Sequence, residues 1–326
     1  MSFSREVKTE LSMQYSTARH CRLAELAAIL SSNGKIVESQ QGYYLKLQTE
    51  SLDVARKYFT LIRKTFNIKI EILIRMNSQW KNSKLYILII KDTDSAVMIL
   101  KATKLYHENL VCGDIGPTSQ VLLQNACCKR SFIRGAFLAS GSMSNPKKAY
   151  HLEIVVSDYD RACQLKDLIQ AFAIDAKIVM RKKNYVVYIK EGSHIVDLLN
   201  VMEAHVALMD LENVRILKEM RNSINRQVNC EAANISKTVN AAAKQIDDII
   251  YIRDTVGFGE LSEGLEEIAS IRIEHPEASL KELGTMLLPP IGKSGVNHRL
   301  RKLSILADCL REHKEENSHD NEGNSN

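Results

Sequence analysis

Leu23-Ala-Glu-Leu-Ala-Ala-Ile-Leu-Ser-Ser-Asn-Gly34 and, about 107 residues later, Phe132-Ile-Arg-Gly-Ala-Phe-Leu-Ala-Ser-Gly141 decide the fold. Both read as helices with little side-chain bulk along one face. Ala27 and Ala28 in the first, and Gly135, Ala136 and Ala139 in the second, let two such helices approach backbone against backbone. The spacing predicts that they pair. Each stretch ends in glycine, Gly34 or Gly141, which suits a left-handed C-cap.

The same order of elements surrounds both stretches. After the first come a strand candidate at Tyr43 to Gln48, an amphipathic helix from Leu52 to Phe66, β-rich runs at Ile68 to Ile74 and Leu85 to Ile90, and a helix opening near Asp94. After the second come a strand at His151 to Val156, a helix from Asp160 to Phe172, runs at Ile178 to Arg181 and Tyr185 to Lys190, and a helix from Ser193 to Met202. Strand candidates alternate with period 2 in part, and the longer helices follow a 3.6-residue spacing. The chain therefore contains an internal repeat. Each copy reads α-β-α-β-β-α, an α+β unit, with the halves at about residues 1–110 and 111–205.

Beyond residue 205 the pattern is wholly helical. Residues 206–260 read as a helical linker of two helices, Leu208 to Arg226 and Ser236 to Arg253, bent by an Asn-rich stretch (Asn222, Asn225, Asn229, Asn234). Residues 261–311 hold three shorter helices. Glu263 to Ile273 is stopped by His275-Pro276. Ser279-Leu-Lys-Glu282 is a capping box opening the second, and Pro289-Pro290-Ile-Gly292 breaks it. The third runs to about Leu310 with one apolar stripe: Val296, Leu300, Leu303, Ala307 and Leu310. Its first turns carry Lys293, Ser294, Asn297, His298, Arg299, Arg301 and Lys302, donor-rich side chains of the kind that contact base edges and phosphates. A capped short helix, a break and a basic helix make a helix-turn-helix pattern with the basic helix in the recognition position. Residues 312–326 have no apolar residue, five Asp+Glu and one Lys, and composition predicts a disordered acidic tail.

Charge supports a polyanion partner. The formal net charge is +5, but residues 1–205 alone carry 29 Lys+Arg against 19 Asp+Glu. The longest apolar run, Leu85 to Ile90, is far too short for a membrane span. The first residues lack a signal peptide's apolar segment, so the expected setting is the cytoplasm, associated with the nucleoid and with no membrane partner. The seven cysteines are Cys21, Cys112, Cys127, Cys128, Cys163, Cys230 and Cys309. They show no CxxC and no metal-ligand spacing and read as reduced thiols; only the vicinal pair Cys127-Cys128 invites oxidation. No metal and no cofactor are expected.

Leu26 to Gly34 and Ile133 to Gly141 resemble the paired LAGLIDADG helices of homing endonucleases. In that family the helices pack at the centre of a saddle of strands lying on duplex DNA, and an acidic residue before each terminal glycine binds the catalytic metal. Here Asn33 and Ser140 occupy those two positions. A hard divalent cation wants carboxylate oxygens, so the resemblance implies a nuclease scaffold without nuclease activity.

The duplicated domain joined to a helix-turn-helix closely resembles the WhiA family, over essentially the whole chain to about residue 311. The resemblance rests on Ser2-Phe-Ser-Arg-Glu-Val-Lys-Thr-Glu-Leu11, Asn225-Arg-Gln-Val-Asn-Cys-Glu-Ala-Ala-Asn234, Lys237-Thr-Val, Ser279-Leu-Lys-Glu-Leu-Gly284 and Gly292-Lys-Ser-Gly-Val-Asn-His-Arg-Leu-Arg-Lys302. It implies a bacterial, non-enzymatic, sequence-specific binder of double-stranded DNA, a transcription regulator acting in cell division, chromosome segregation or sporulation. Asn297, His298 and Arg301 would read bases, and Lys293, Arg299 and Lys302 would hold phosphates. A sigma factor, RNA polymerase or a division protein is an expected protein partner. The competing readings are an adaptor of the division or transcription machinery with incidental DNA contact, and a residual metal-dependent endonuclease.

Overall fold

The computed structural model describes residues 2–39, 42–76, 84–106 and 113–322. Cys112 lies outside the described residues. The chain forms two compact units, Met1–Glu219 and Met220–Asn326.

The first unit opens with α1 (Phe3–Ser12), whose Val7 and Leu11 are buried. The first copy of the repeat is α2 (Arg19–Asn33), β1 (Gly34–Ser39), β2 (Gly42–Thr49), α3 (Leu52–Phe66), β3 (Glu71–Met76), β4 (Lys84–Ile90) and α4 (Thr93–Ala102). After the short β5 (Gly113–Asp114), the second copy is α5 (Ala126–Ser140), β6 (Gly141–Met143), β7 (Leu152–Val156), α6 (Tyr159–Gln170), β8 (Lys177–Arg181), β9 (Asn184–Ile189) and α7 (Gly192–Met202). The sheet orders are β3-β4-β2-β1-β5 and β6-β7-β9-β8, antiparallel throughout. Apart from β5, the two orders are equivalent, so the duplication in sequence is a duplication in space.

Each copy holds one strand more than the expected α-β-α-β-β-α. The strands β1 and β6 start on the glycines that end the small-residue helices, and they were hidden because no loop separates helix from strand. Neither glycine is left-handed: Gly34 has φ −83° and Gly141 φ −74°. Close approach, not handedness, selects them. A Cβ on Gly34 would meet the Leu30 carbonyl oxygen at 2.4 Å, and one on Gly141 would meet the Phe137 ring at 2.3 Å.

The paired helices α2 and α5 lie at the centre of this unit, nearly all of their inward side chains buried. They run parallel, since Asn33 bonds Ala139 near one end and His20 lies beside Cys128 near the other. Gly135 permits the contact: a Cβ there would sit 2.4 Å from the Glu25 carbonyl oxygen and 3.1 Å from the Ala28 Cβ. Ser51, Asp92 and Asp158 cap α3, α4 and α6 through their side chains.

In place of two helices and a bend, residues 205–255 form one helix, α8 (His205–Thr255). No Gly or Pro interrupts the segment, and Asn costs a helix interior only about 0.7 kcal/mol or less against Ala, too little to break it. Of its regularly spaced apolar residues, Leu211 is buried, whereas Leu217, Met220 and Ile224 are exposed.

The second unit adds α9 (Glu263–Glu274), α10 (Leu280–Met286) and α11 (Lys293–Glu322). Its core contains Ile268, Ala269, Leu283, Leu287, Val296, Leu300, Leu303 and Ala307, joined by Ile249 and Ile252 from the end of α8. The last turns of α8 thus belong to the core of the helix-turn-helix unit. Backbone helix continues in α11 to Glu322, where composition predicts a disordered tail. Glu and Lys are strong helix formers, and a helix already nucleated on a packed stripe extends at little cost.

Candidate nucleic-acid interface

The predicted stripe fixes how α11 turns. Val296, Leu300, Leu303 and Ala307 are fully buried and Leu310 partly so. The opposite face must then point outward, and Lys293, Ser294, Asn297, His298, Arg301 and Lys302 are all exposed there. Arg299 differs. It lies beside the buried stripe, donates to the Gly264 carbonyl at 3.2 Å and stands 4.0 Å from Glu267. It ties α11 to α9.

The turn before α11 is held by its neighbours. The Ile291 N–H donates to the Gly284 carbonyl at 2.9 Å, and a Cβ on Gly284 would meet the Ile291 carbonyl at 2.3 Å. The predicted capping box is formed: Ser279 N–H donates to Glu282 at 2.7 Å, and Glu282 N–H donates to the Ser279 hydroxyl at 3.4 Å. The Ser279 hydrogen bonds hold the Glu282 carboxyl below its usual range. Further along α11, Arg311 pairs with the buried Asp248 of α8 at 2.8 Å. The exposed donors therefore stand on a stretch of helix fixed at the turn before it, at Arg299 and at Arg311.

At the C-terminal ends of α2 and α5, the positions of interest hold structural hydrogen bonds. The Asn33 amide donates to the Ala139 carbonyl at 3.1 Å and to the Tyr58 hydroxyl at 3.2 Å. Burial pushes the Tyr58 phenol well above its ordinary pKa, so it stays neutral. Ser140 reaches back to the Ala136 carbonyl at 3.4 Å. Arg161, itself buried, donates to the Ser31 carbonyl at 2.6 Å and to the Ile115 carbonyl. This end of α2 thus holds Arg161, ion-paired with Asp158 at 3.0 Å, and neutral hydrogen-bonding groups where the nuclease pattern has carboxylates.

Sequence reading missed a buried charge network between the helices. Glu25 is 3.0 Å from Lys57 and 3.2 Å from Arg134, and Arg134 reaches Glu203 at 2.5 Å. The signal was available: Glu25 and Arg134 are charged residues inside otherwise small and apolar stretches.

Profiles of three domains match the chain: the WhiA N-terminal LAGLIDADG-like domain over residues 19–106, the WhiA LAGLIDADG-like domain over 129–221, and the WhiA C-terminal HTH domain over 224–307. The "Probable cell division protein WhiA" of Lachnoclostridium phytofermentans is 63% identical over 96% of this chain and 100% of that protein. The chain belongs to the WhiA family. The protein of the same name from Alkaliphilus oremlandii is 50% identical over 97% of this chain and 100% of its own length. Full-length DUF199/WhiA from Thermotoga maritima has the same fold, with a TM-score of 0.57 at 23% identity, covering 94% of this chain and 98% of that one. The WhiA HTH profile begins within α8, in keeping with Ile249 and Ile252 in the second core. Among the described residues no helix is long and apolar enough to cross a membrane.

Proposed function

We propose that this WhiA-family chain is a non-enzymatic, sequence-specific DNA-binding protein that regulates transcription in cell division, chromosome segregation or sporulation, acting at the nucleoid in the cytoplasm. One observation carries the reading: six donor side chains stand exposed on one face of α11, directly after the helix-turn-helix turn, while its other face is sealed in the core. Asn297, His298 and Arg301 read base edges, and Lys293, Ser294 and Lys302 hold the backbone. Arg299 is tied to Gly264 and serves the fold of the unit. The duplicated domain is a former nuclease scaffold whose metal positions now serve the helix pair, and it docks DNA backbone or a protein such as a sigma factor, RNA polymerase or a division protein.

The test is selection from a random duplex pool by the full chain, followed by footprinting, with a plasmid-nicking assay in Mg²⁺ alongside. The expected result is one enriched motif protected by the protein and no nicking. A pool that stays random, or nicking abolished by chelation, overturns the reading.

A further inference from the structure

The N-terminal ends of α2 and α5 hold a cluster that the paired carbonyl ends do not explain. His20 and Cys21 are the second and third residues of α2, and Cys127 and Cys128 are the second and third residues of α5. Both pairs stand at the same position of the internal repeat, so each half supplies two adjacent donors. The four donor atoms all lie within 4.8 Å of one another. His20 Nδ1 is 3.2 Å from Cys128 Sγ, 3.4 Å from Cys21 Sγ and 4.0 Å from Cys127 Sγ.

From these positions we infer a mononuclear metal site of the Cys₃His class, with Zn²⁺ as the fitting ion, joining the two halves of the duplicated domain. Tetrahedral zinc with Zn–S of about 2.3 Å and Zn–N of about 2.0–2.1 Å spaces its ligands roughly 3.5–3.8 Å apart, so the observed separations need only small side-chain adjustments. Polynuclear iron–sulfur clusters would hold their cysteine sulfurs further apart than this cluster allows. Thiolate and imidazole donors select a soft or borderline ion over Mg²⁺ or Ca²⁺. Three thiolates, a neutral imidazole and Zn²⁺ carry one net negative charge, and that charge sits at two helix N-termini, which favour anions. Cys21 and Cys128 are buried while His20 and Cys127 are exposed, so the site has an inner wall and an open side. Cys21 and Cys127 line a cleft together with Tyr15 and Arg130, a route for the ion. Binding releases the thiol protons and involves no change of oxidation state. The ion would clamp the helix pair at the end opposite Asn33 and Ser140. Sequence spacing concealed the site, because its ligands come as two adjacent pairs a full repeat apart rather than as CxxC.

The experiment uses full-length protein, purified reduced, stripped of metal and titrated with Zn²⁺ against a chromophoric chelator and separately with Co²⁺. We expect one Zn²⁺ per chain, and a Co²⁺ form with the intense visible bands of tetrahedral geometry and a thiolate charge-transfer band in the near ultraviolet. Cys127→Ser/Cys128→Ser should lose both signals by at least tenfold in affinity, while Cys230→Ser/Cys309→Ser keeps them. Circular dichroism of the metal-free proteins checks that the variants fold, and the wild-type titration stands without any variant. The inference is overturned by wild-type stoichiometry well below one, by weak octahedral-type Co²⁺ bands, or by binding that survives in the Cys127→Ser/Cys128→Ser protein.

Discussion

Arg134 donates from Nε to Glu25 Oε1 at 3.2 Å, and from Nη2 to Glu25 Oε2 at 3.4 Å, across the central helix pair with both side chains buried. This two-pronged contact joins the first copy of the repeat to the second at the place where backbones come closest. Lys57 lies 3.0 Å from the same carboxylate. Burial depresses the Lys57 ammonium and Glu25 opposes that effect, so the acid matters to both cations. For Arg134, burial works against the charge, and the pull of Glu25 and Glu203 outweighs it.

Removing one partner of such a network leaves buried charge uncompensated. Glu25→Ala strands Lys57 and leaves Arg134 with the half-exposed Glu203 alone, and should cost about 3–5 kcal/mol of folding stability, read by urea denaturation of the full chain. Glu203, 45% exposed at its side chain, should matter less: Glu203→Ala should cost about 1 kcal/mol or less because water screens that contact. Equal losses in the two variants would contradict the buried-network account.

The helix pair also sets a steric test. Gly135→Ala places a Cβ 2.4 Å from the Glu25 carbonyl, against backbone that cannot swing aside. We expect a loss of about 1–3 kcal/mol in the first unit's unfolding. Gly259→Ala, where a Cβ meets nothing within 4 Å, should stay within about 0.5 kcal/mol. A neutral Gly135→Ala would show that the helices are further apart than described.

Burial lowers the Lys8 ammonium to about 8 from an ordinary 10.5. Between those values the unfolded chain binds more protons than the folded one, so stability from this group rises as pH climbs from 8 to 10.5. Below about 8 the cost of burying the charge is constant and fully present. Lys8→Met should flatten that part of the stability profile, measured by denaturant midpoints across the pH range. An unchanged slope in the variant would assign the effect elsewhere.

Arg299 and Arg301 of α11 should separate by assay. Arg301→Ala should weaken binding to the selected duplex by about 1–3 kcal/mol and leave the thermal midpoint unchanged. Arg299→Ala should lower the midpoint, because it removes the contact to Gly264. If Arg299→Ala instead weakens DNA binding at unchanged stability, its placement against α9 is not its role.

Periodicity made much of this architecture legible. The Val296-to-Ala307 stripe, the Ser279 capping box and the repeat at Gly34 and Gly141 follow from spacing and local hydrogen bonding, which a sequence displays directly. What escaped depends on how distant segments meet. β1 and β6 were missed because chain direction changes within one residue, and the glycines were misread because a close approach looks like a left-handed cap in one dimension. The Asn residues of α8 favour a bend by propensity, but without Gly or Pro in the segment the preference is too weak to break the helix. Glu25 with Arg134, and His20 with Cys128, come together only through the packing of α2 on α5. On α11 the donor residues were visible by type, but Arg299 parted from the rest only once the helix was oriented.

The most direct test of DNA readout by α11 is a salt series of full-chain binding to the selected duplex and to a scrambled one, for wild type, Arg301→Ala and Lys302→Ala. Wild type should prefer the selected duplex by about 10³-fold or more. Arg301→Ala should lose most of that preference, and Lys302→Ala should keep it while the slope of log K against log salt becomes shallower by about 0.9. Equal binding of both duplexes by wild type, or an Arg301→Ala protein that keeps full preference, would contradict the assignment of sequence readout to this helix.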